Sequence, residues 1–163
     1  MEKIYGATSA QNGLYRVGRL KWEVIYGFGK DRQEDETGYN YRLRYSYRPR
    51  LENIKQDIIK TINEIVGEKI LKGLKFRGLL VWLSAENQRD YADWYNLARI
   101  SEDNLPVTVK LGTDEEPVEV TLNTLEEMTE FYQTVARHIK QTVSEGWEMK
   151  KSINWEDYEN EKD

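Results

Sequence analysis

The period of the apolar positions switches repeatedly along this chain between two residues and about 3.6. Tyr39, Tyr41, Leu43, Tyr45 and Tyr47 alternate with Asn40, Arg42, Arg44 and Ser46, the pattern of a strand with one packed face and one wet face. Trp22–Phe28 (WEVIYGF), β-branched and aromatic, predicts the strand before it. The intervening GKDRQEDETG reads as a polar hairpin loop bounded by glycines. Pro49 suits a helix start. Ile54, Ile58, Ile62 and Ile65 follow at helical spacing, with Ile59 and Val66 broadening the stripe. Gly67 is expected to close this helix.

The same order recurs. Ile70–Phe76 and Leu79–Leu83 predict a hairpin across Arg77-Gly78, and Ser84 caps a helix carrying Tyr91, Trp94, Tyr95 and Ala98. Leu105–Leu111 and Val118–Leu122 predict a third strand pair around GTDEEP. Thr124 and Glu127 form a Thr-x-x-Glu capping box. The helix behind it shows Met128, Tyr132, Val135, Ile139 and Val143 on one face, and Gly146 is expected to end it. Three successive strand–strand–helix units predict an α+β fold, with antiparallel hairpins packed with helices. Residues 1–20, rich in Gly, Ser, Thr and Asn, read as an extended N-terminal arm that a partner orders. Residues 21–151 read as a single domain and 152–163 as an acidic tail, with Trp147 and Trp155 available to dock on the body.

Composition sharpens this picture at a few points. A length of 163 residues suits one domain. Five Trp and eleven Tyr against three Phe favour half-buried sheets and interfaces, where a ring is covered and its polar tip is satisfied. The absence of cysteine removes disulfides, thiol catalysis and thiolate metal sites. MEKIYGATSAQNG lacks the basic start and apolar run of a secretory signal, and no apolar run approaches the roughly 20 residues of a membrane helix. The net charge is −5, of which NWEDYENEKD at the end carries −4, while residues 39–50 hold four arginines and no acid. An acidic total disfavours non-specific nucleic-acid binding, which needs a basic surface.

Catalytic constellations are not apparent, so no catalytic, cofactor or metal residue is nominated. The one histidine, His138, lies mid-helix without a matching nucleophile, and none of the six serines sits in a Gly-x-Ser-x-Gly elbow. The acid clusters Asp31–Glu36, Asp114–Glu116 and Glu156–Glu161 lack calcium-loop spacing. Gly27-Phe28-Gly29-Lys30 lacks the spacer and following helix of a phosphate loop. The candidate interaction surface is the Tyr/Arg strand: Tyr39, Tyr41, Arg42, Arg44, Tyr45, Tyr47, Arg48 and Arg50. These residues suit a sheet whose Tyr face is core and whose Arg face pairs with the Asp31–Glu36 loop. Next in order they suit a protein interface, and after that a surface that stacks bases or sugars and holds phosphates.

The segment KFRGLLVWLSAENQRDYADWY, the later LPVTVKLG, the helix LEEMTEFYQTVARHIKQTVSEGW and the closing KKSINW resemble a family of uncharacterised domains from bacteriophage and prophage genomes. Many of these sit among tail and tail-fibre genes in Bacteroides-type gut bacteria. Trp82, Leu83, Ser84, Phe131, Tyr132 and Val135 carry the likeness, which covers about residues 48–155. The resemblance implies a non-enzymatic structural or tail-assembly protein acting through contacts with virion components or its own copies. Its expected place is the host cytoplasm during assembly, or the virion, with no membrane association. The alternatives are a nucleic-acid-binding accessory protein using residues 39–50, and a carbohydrate-binding module or hydrolase of the tail region.

Overall fold

The computed structural model describes residues 1–162. Its elements run β1 (Glu2–Ala7), β2 (Gly13–Gly18), β3 (Lys21–Gly29), β4 (Gly38–Tyr45), α1 (Leu51–Lys72), β5 (Leu74–Phe76), β6 (Leu79–Val81), α2 (Ala85–Ile100), β7 (Val107–Gly112), β8 (Pro117–Leu122), α3 (Leu125–Lys151) and β9 (Glu161–Lys162). Short 3-10 turns cover Glu102–Asn104 and Trp155–Tyr158. The class is α+β, and from β3 onward the order is the expected strand–strand–helix, three times. The chain divides into two compact units, residues 1–63 with 149–163 and residues 64–148, and the division falls inside α1 and inside α3.

The first unit is built on a five-stranded sheet in the order β1-β4-β3-β2-β9. Two of its strands come from the segment expected to be an arm. Lys3 lies opposite Tyr41 and Tyr5 opposite Tyr39, while Leu14 lies opposite Val24. Residues 1–20 therefore pair within the chain instead of waiting for a partner. The apolar content of GATSAQNG is low because most of it is the exposed loop between β1 and β2. The expected tail is likewise engaged. β9 adds in parallel to β2, Tyr158 is buried, and its hydroxyl donates to the Ile25 carbonyl at 3.1 Å. The Trp22 indole N–H donates to Glu161 at 3.0 Å. Val24, Leu14 and Trp22 are buried in the sheet, and the α1 stripe Ile54, Ile58 and Ile62 is wholly buried. The Tyr45 hydroxyl donates to Asp57, in the second turn of α1, so the first turns of the helix lie against the tyrosine face.

The second unit has two hairpins and the helices that cover them. In β5–β6, Arg77 and Gly78 both take positive φ (50° and 81°), the geometry of a two-residue turn matched to strand twist. Ser84 accepts from the Asn87 N–H at 3.1 Å, capping α2 as its position predicts. At α3, Thr124 accepts from the Glu127 N–H at 3.2 Å, and Glu127 reaches back to the Asn123 N–H at 2.7 Å. The core gathers Phe76, Val81, Leu83, Tyr91, Val109, Leu122 and Phe131, with Phe131 meeting Phe76 and Tyr91 edge-on.

Two expected helix ends differ. Gly67 and Gly146 lie inside α1 and α3, which continue to Lys72 and Lys151. Gly73 is where α1 stops, its N–H closing on the Lys69 carbonyl at 2.9 Å. The glycine at 146 answers to packing, because Val66 occupies the space a side chain would need.

Candidate functional site

The strand nominated from sequence becomes β4, and it sits between β1 and β3 with both edges paired. Tyr39, Tyr41 and Tyr45 are half-buried, and Tyr47, just beyond the strand, is 56% exposed. The rings touch in sequence along this face: Tyr5 against Tyr39, Tyr39 against Tyr41, and Tyr45 against Tyr47, all edge-on at 5.4–5.8 Å. Lys3 stands 3.9 Å over the Tyr39 ring and pairs with Asp31 at 3.1 Å. The Lys3 ammonium and the Tyr5 hydroxyl beside Asp31 hold its carboxyl below the usual range.

On the opposite face the arginines are paired, though not with the acidic loop. Arg42 bridges Glu2 at 2.8 Å and Glu23 at 3.5 Å. Arg44 reaches Glu23 at 2.8 Å, and Arg48 reaches Glu161 at 3.0 Å. The contact with Arg42 lowers the Glu2 pKa. From the loop 30–37, Asp31 pairs with Lys3 instead. Asn40, expected on the wet face, is fully buried. Its amide nitrogen donates to the Ser9 carbonyl at 3.2 Å and to the Gly27 carbonyl, so the loop after β1 and the irregular end of β3 close over it.

The eight nominated residues are therefore split by the fold. Tyr39, Tyr41 and Arg42 belong to the body of the sheet. Arg44 and Tyr45, joined by Val17, Lys21, Trp22, Glu23 and Ser46, line a concavity of about 660 Å³ at one end of the sheet. Around it Val17 is 51% exposed and Tyr47 56%. In the β2–β3 turn, next to Lys21, Leu20 is 66% exposed. Arg48 is tied to the C-terminal segment through Glu161 and the Glu159 carbonyl. Arg50 lies exposed at the entry of α1, where its carbonyl accepts the first helical N–H groups. Burial and the Asp57 bond raise the Tyr45 pKa well above the ordinary phenol value, so this hydroxyl stays a donor at any working pH.

Other sequence candidates settle into structural places. The His138 ring nitrogen Nε2 lies 2.9 Å from the Lys69 carbonyl, which fixes the proton on that nitrogen. Among the described residues no group of three or more His, Cys, Asp or Glu could hold a metal ion, and no helix is long and apolar enough to cross a membrane.

A second concavity escaped the sequence reading. It lies in the second unit, between Trp82 at the end of β6, the first turns of α2, and β7 with the loop behind it. The signal was present: Trp82 takes an outward position between buried Val81 and Leu83, and is 45% exposed.

Residues 53–163 match the model of a family described as a domain of unknown function, DUF4376. No curated protein and no solved structure matches the chain.

Proposed function

The chain belongs to the DUF4376 family of domains of unknown function, and from that premise we propose a non-enzymatic protein that works through protein–protein contacts made at the Tyr/Arg end of its five-stranded sheet. The observation that carries this reading is the concavity around Arg44 and Tyr45, flanked by exposed Val17, Leu20 and Tyr47. Tyr and Arg beside exposed aliphatic groups are the composition of interface anchors, because they bury much area at little conformational cost and keep a polar tip for the partner. Glu23 holds Arg44 in place, so less side-chain freedom is lost on binding. This surface lies outside residues 53–163, which makes it a property of this chain's N-terminal strands.

The finer reading is a phage or prophage structural or tail-assembly protein, bound to virion components or to further copies of itself. It rests on the likeness of residues 48–155 to proteins encoded among tail genes. A mass-spectrometric inventory of purified particles and of assembly intermediates from producing cells tests it: the reading expects the chain in one or the other, and absence from both refutes it. Protein is placed ahead of nucleic acid because Arg42, Arg44 and Arg48 already neutralise Glu2, Glu23 and Glu161. Salt-sensitive binding to single strands that weakens on replacing these arginines would reverse that order.

A further inference from the structure

From the cleft of the second unit we infer that the chain carries a separate binding site for a neutral saccharide, built on Trp82. The cleft measures about 730 Å³ and is walled by β6, α2, β7 and the loop after β7, inside the range of roughly 300–1,000 Å³ typical of small-ligand sites. Its platform is fixed. Trp82 follows β6 between two side chains that are essentially inaccessible, Val81 and Leu83, so the indole is held outward by its neighbours' burial. Asn87 in the first turn of α2 donates its amide to the Trp82 carbonyl at 2.7 Å, which anchors the backbone of the platform. Trp94 lines the same cleft beside Tyr91, the two rings 5.8 Å apart and tilted by 57°.

The polar groups on the walls select the ligand class. With its amide nitrogen committed to Trp82, Asn87 has its oxygen to offer a ligand. Lys110 supplies a donor, Asp114 and Glu115 supply carboxylate acceptors, and the Thr108 hydroxyl sits beside that of Thr121 at 3.2 Å. One cation against two anions leaves little net field, so neither a phosphate nor a strongly cationic ligand is favoured. A pyranose ring matches what is present: an apolar C–H face to lie on an indole, and ring-plane hydroxyls that both donate and accept. The inference is independent of the sheet-end interface, which uses residues of the other unit.

The test titrates the full-length chain with neutral trisaccharides of glucose, N-acetylglucosamine, galactose and mannose, followed by tryptophan fluorescence and calorimetry, with a glycan array for breadth. Binding by at least one of these is expected. Trp82→Ala should weaken it about tenfold or more, Trp82→Phe should recover much of that loss, and Asp114→Asn should weaken it several-fold. Trp147→Ala, which removes an indole that is 60% exposed but does not line the cleft, should leave the affinity unchanged. No binding to any glycan at millimolar concentration, equal binding by wild type and Trp82→Ala, or occupation of the cleft by a peptide alone would each overturn the inference. Asp114→Asn lies on an exposed loop, so it remains informative if Trp82→Ala fails to fold.

Discussion

Two glycines lie inside long helices, and the same substitution at each is expected to have opposite signs. Gly67 in α1 has nothing within 4 Å of where a Cβ would stand. Alanine there removes backbone freedom from the unfolded chain at no steric cost, so Gly67→Ala should stabilise by about 0.5–1 kcal/mol. At Gly146 in α3 the same Cβ would stand 2.5 Å from Cγ2 of Val66. A β-branched residue in a helix has essentially one rotamer, so Val66 cannot swing aside. Overpacking of this kind costs about 1–3 kcal/mol. Set against a helix gain of about 1 kcal/mol, Gly146→Ala should lose up to about 2 kcal/mol net. The double variant Val66→Ala/Gly146→Ala should recover the penalty, giving a coupling energy of about 1–3 kcal/mol. Urea unfolding of wild type, Gly67→Ala, Gly146→Ala, Val66→Ala and the double variant, read by circular dichroism, supplies these numbers. If Gly146→Ala is stabilised as much as Gly67→Ala, the two helices do not approach at Val66 and the packing argument fails.

Further outcomes follow from single contacts. Tyr158→Phe should cost about 1 kcal/mol, because it removes the buried hydrogen bond to the Ile25 carbonyl, and an unchanged urea midpoint would remove the C-terminal segment from the fold. Ser84→Ala should cost about 1 kcal/mol through loss of the α2 cap, measurable by the same denaturation. The hydrogen bond and charge of Lys69 lower the Glu145 carboxyl pKa in the folded chain. That pair's contribution is complete above the ordinary glutamate value and is lost as pH falls through the lowered folded value. Glu145→Gln should therefore flatten the acid limb of the stability curve and leave the neutral region little changed, and a carboxyl NMR titration checks the direction directly.

What was legible from sequence was local chemistry. The Arg77-Gly78 turn, the Ser84 cap and the Thr124–Glu127 pair each act within a few residues, and each stands where it was expected. The alternation of residues 39–47 marked a strand, which ends at Tyr45 and buries Asn40 on the face expected to be wet. What escaped depends on distant segments. A glycine that ends a helix and a glycine that admits Val66 leave the same local mark. Residues 1–20 carry too few aliphatics to announce strands, because their pairing partners lie in β3 and β4. Burial of Tyr158 depends on Ile25, far back in the chain, and Glu161 finds Trp22 and Arg48 in the same way. Within the nominated surface the residue types were right for an interface. Which of the arginines are paired was set by Glu2, Glu23 and Glu161, which no spacing rule connects to them.

The most direct test of the proposed contact surface is site-specific photo-crosslinking in the producing cell. A photoreactive residue at position 47, beside the sheet-end concavity, is compared with one at the exposed Arg137 position of α3. The account predicts one dominant protein adduct from position 47, lost when Arg44→Glu is added, and none of it from position 137. Equal adducts from both positions, or none from position 47, would contradict it.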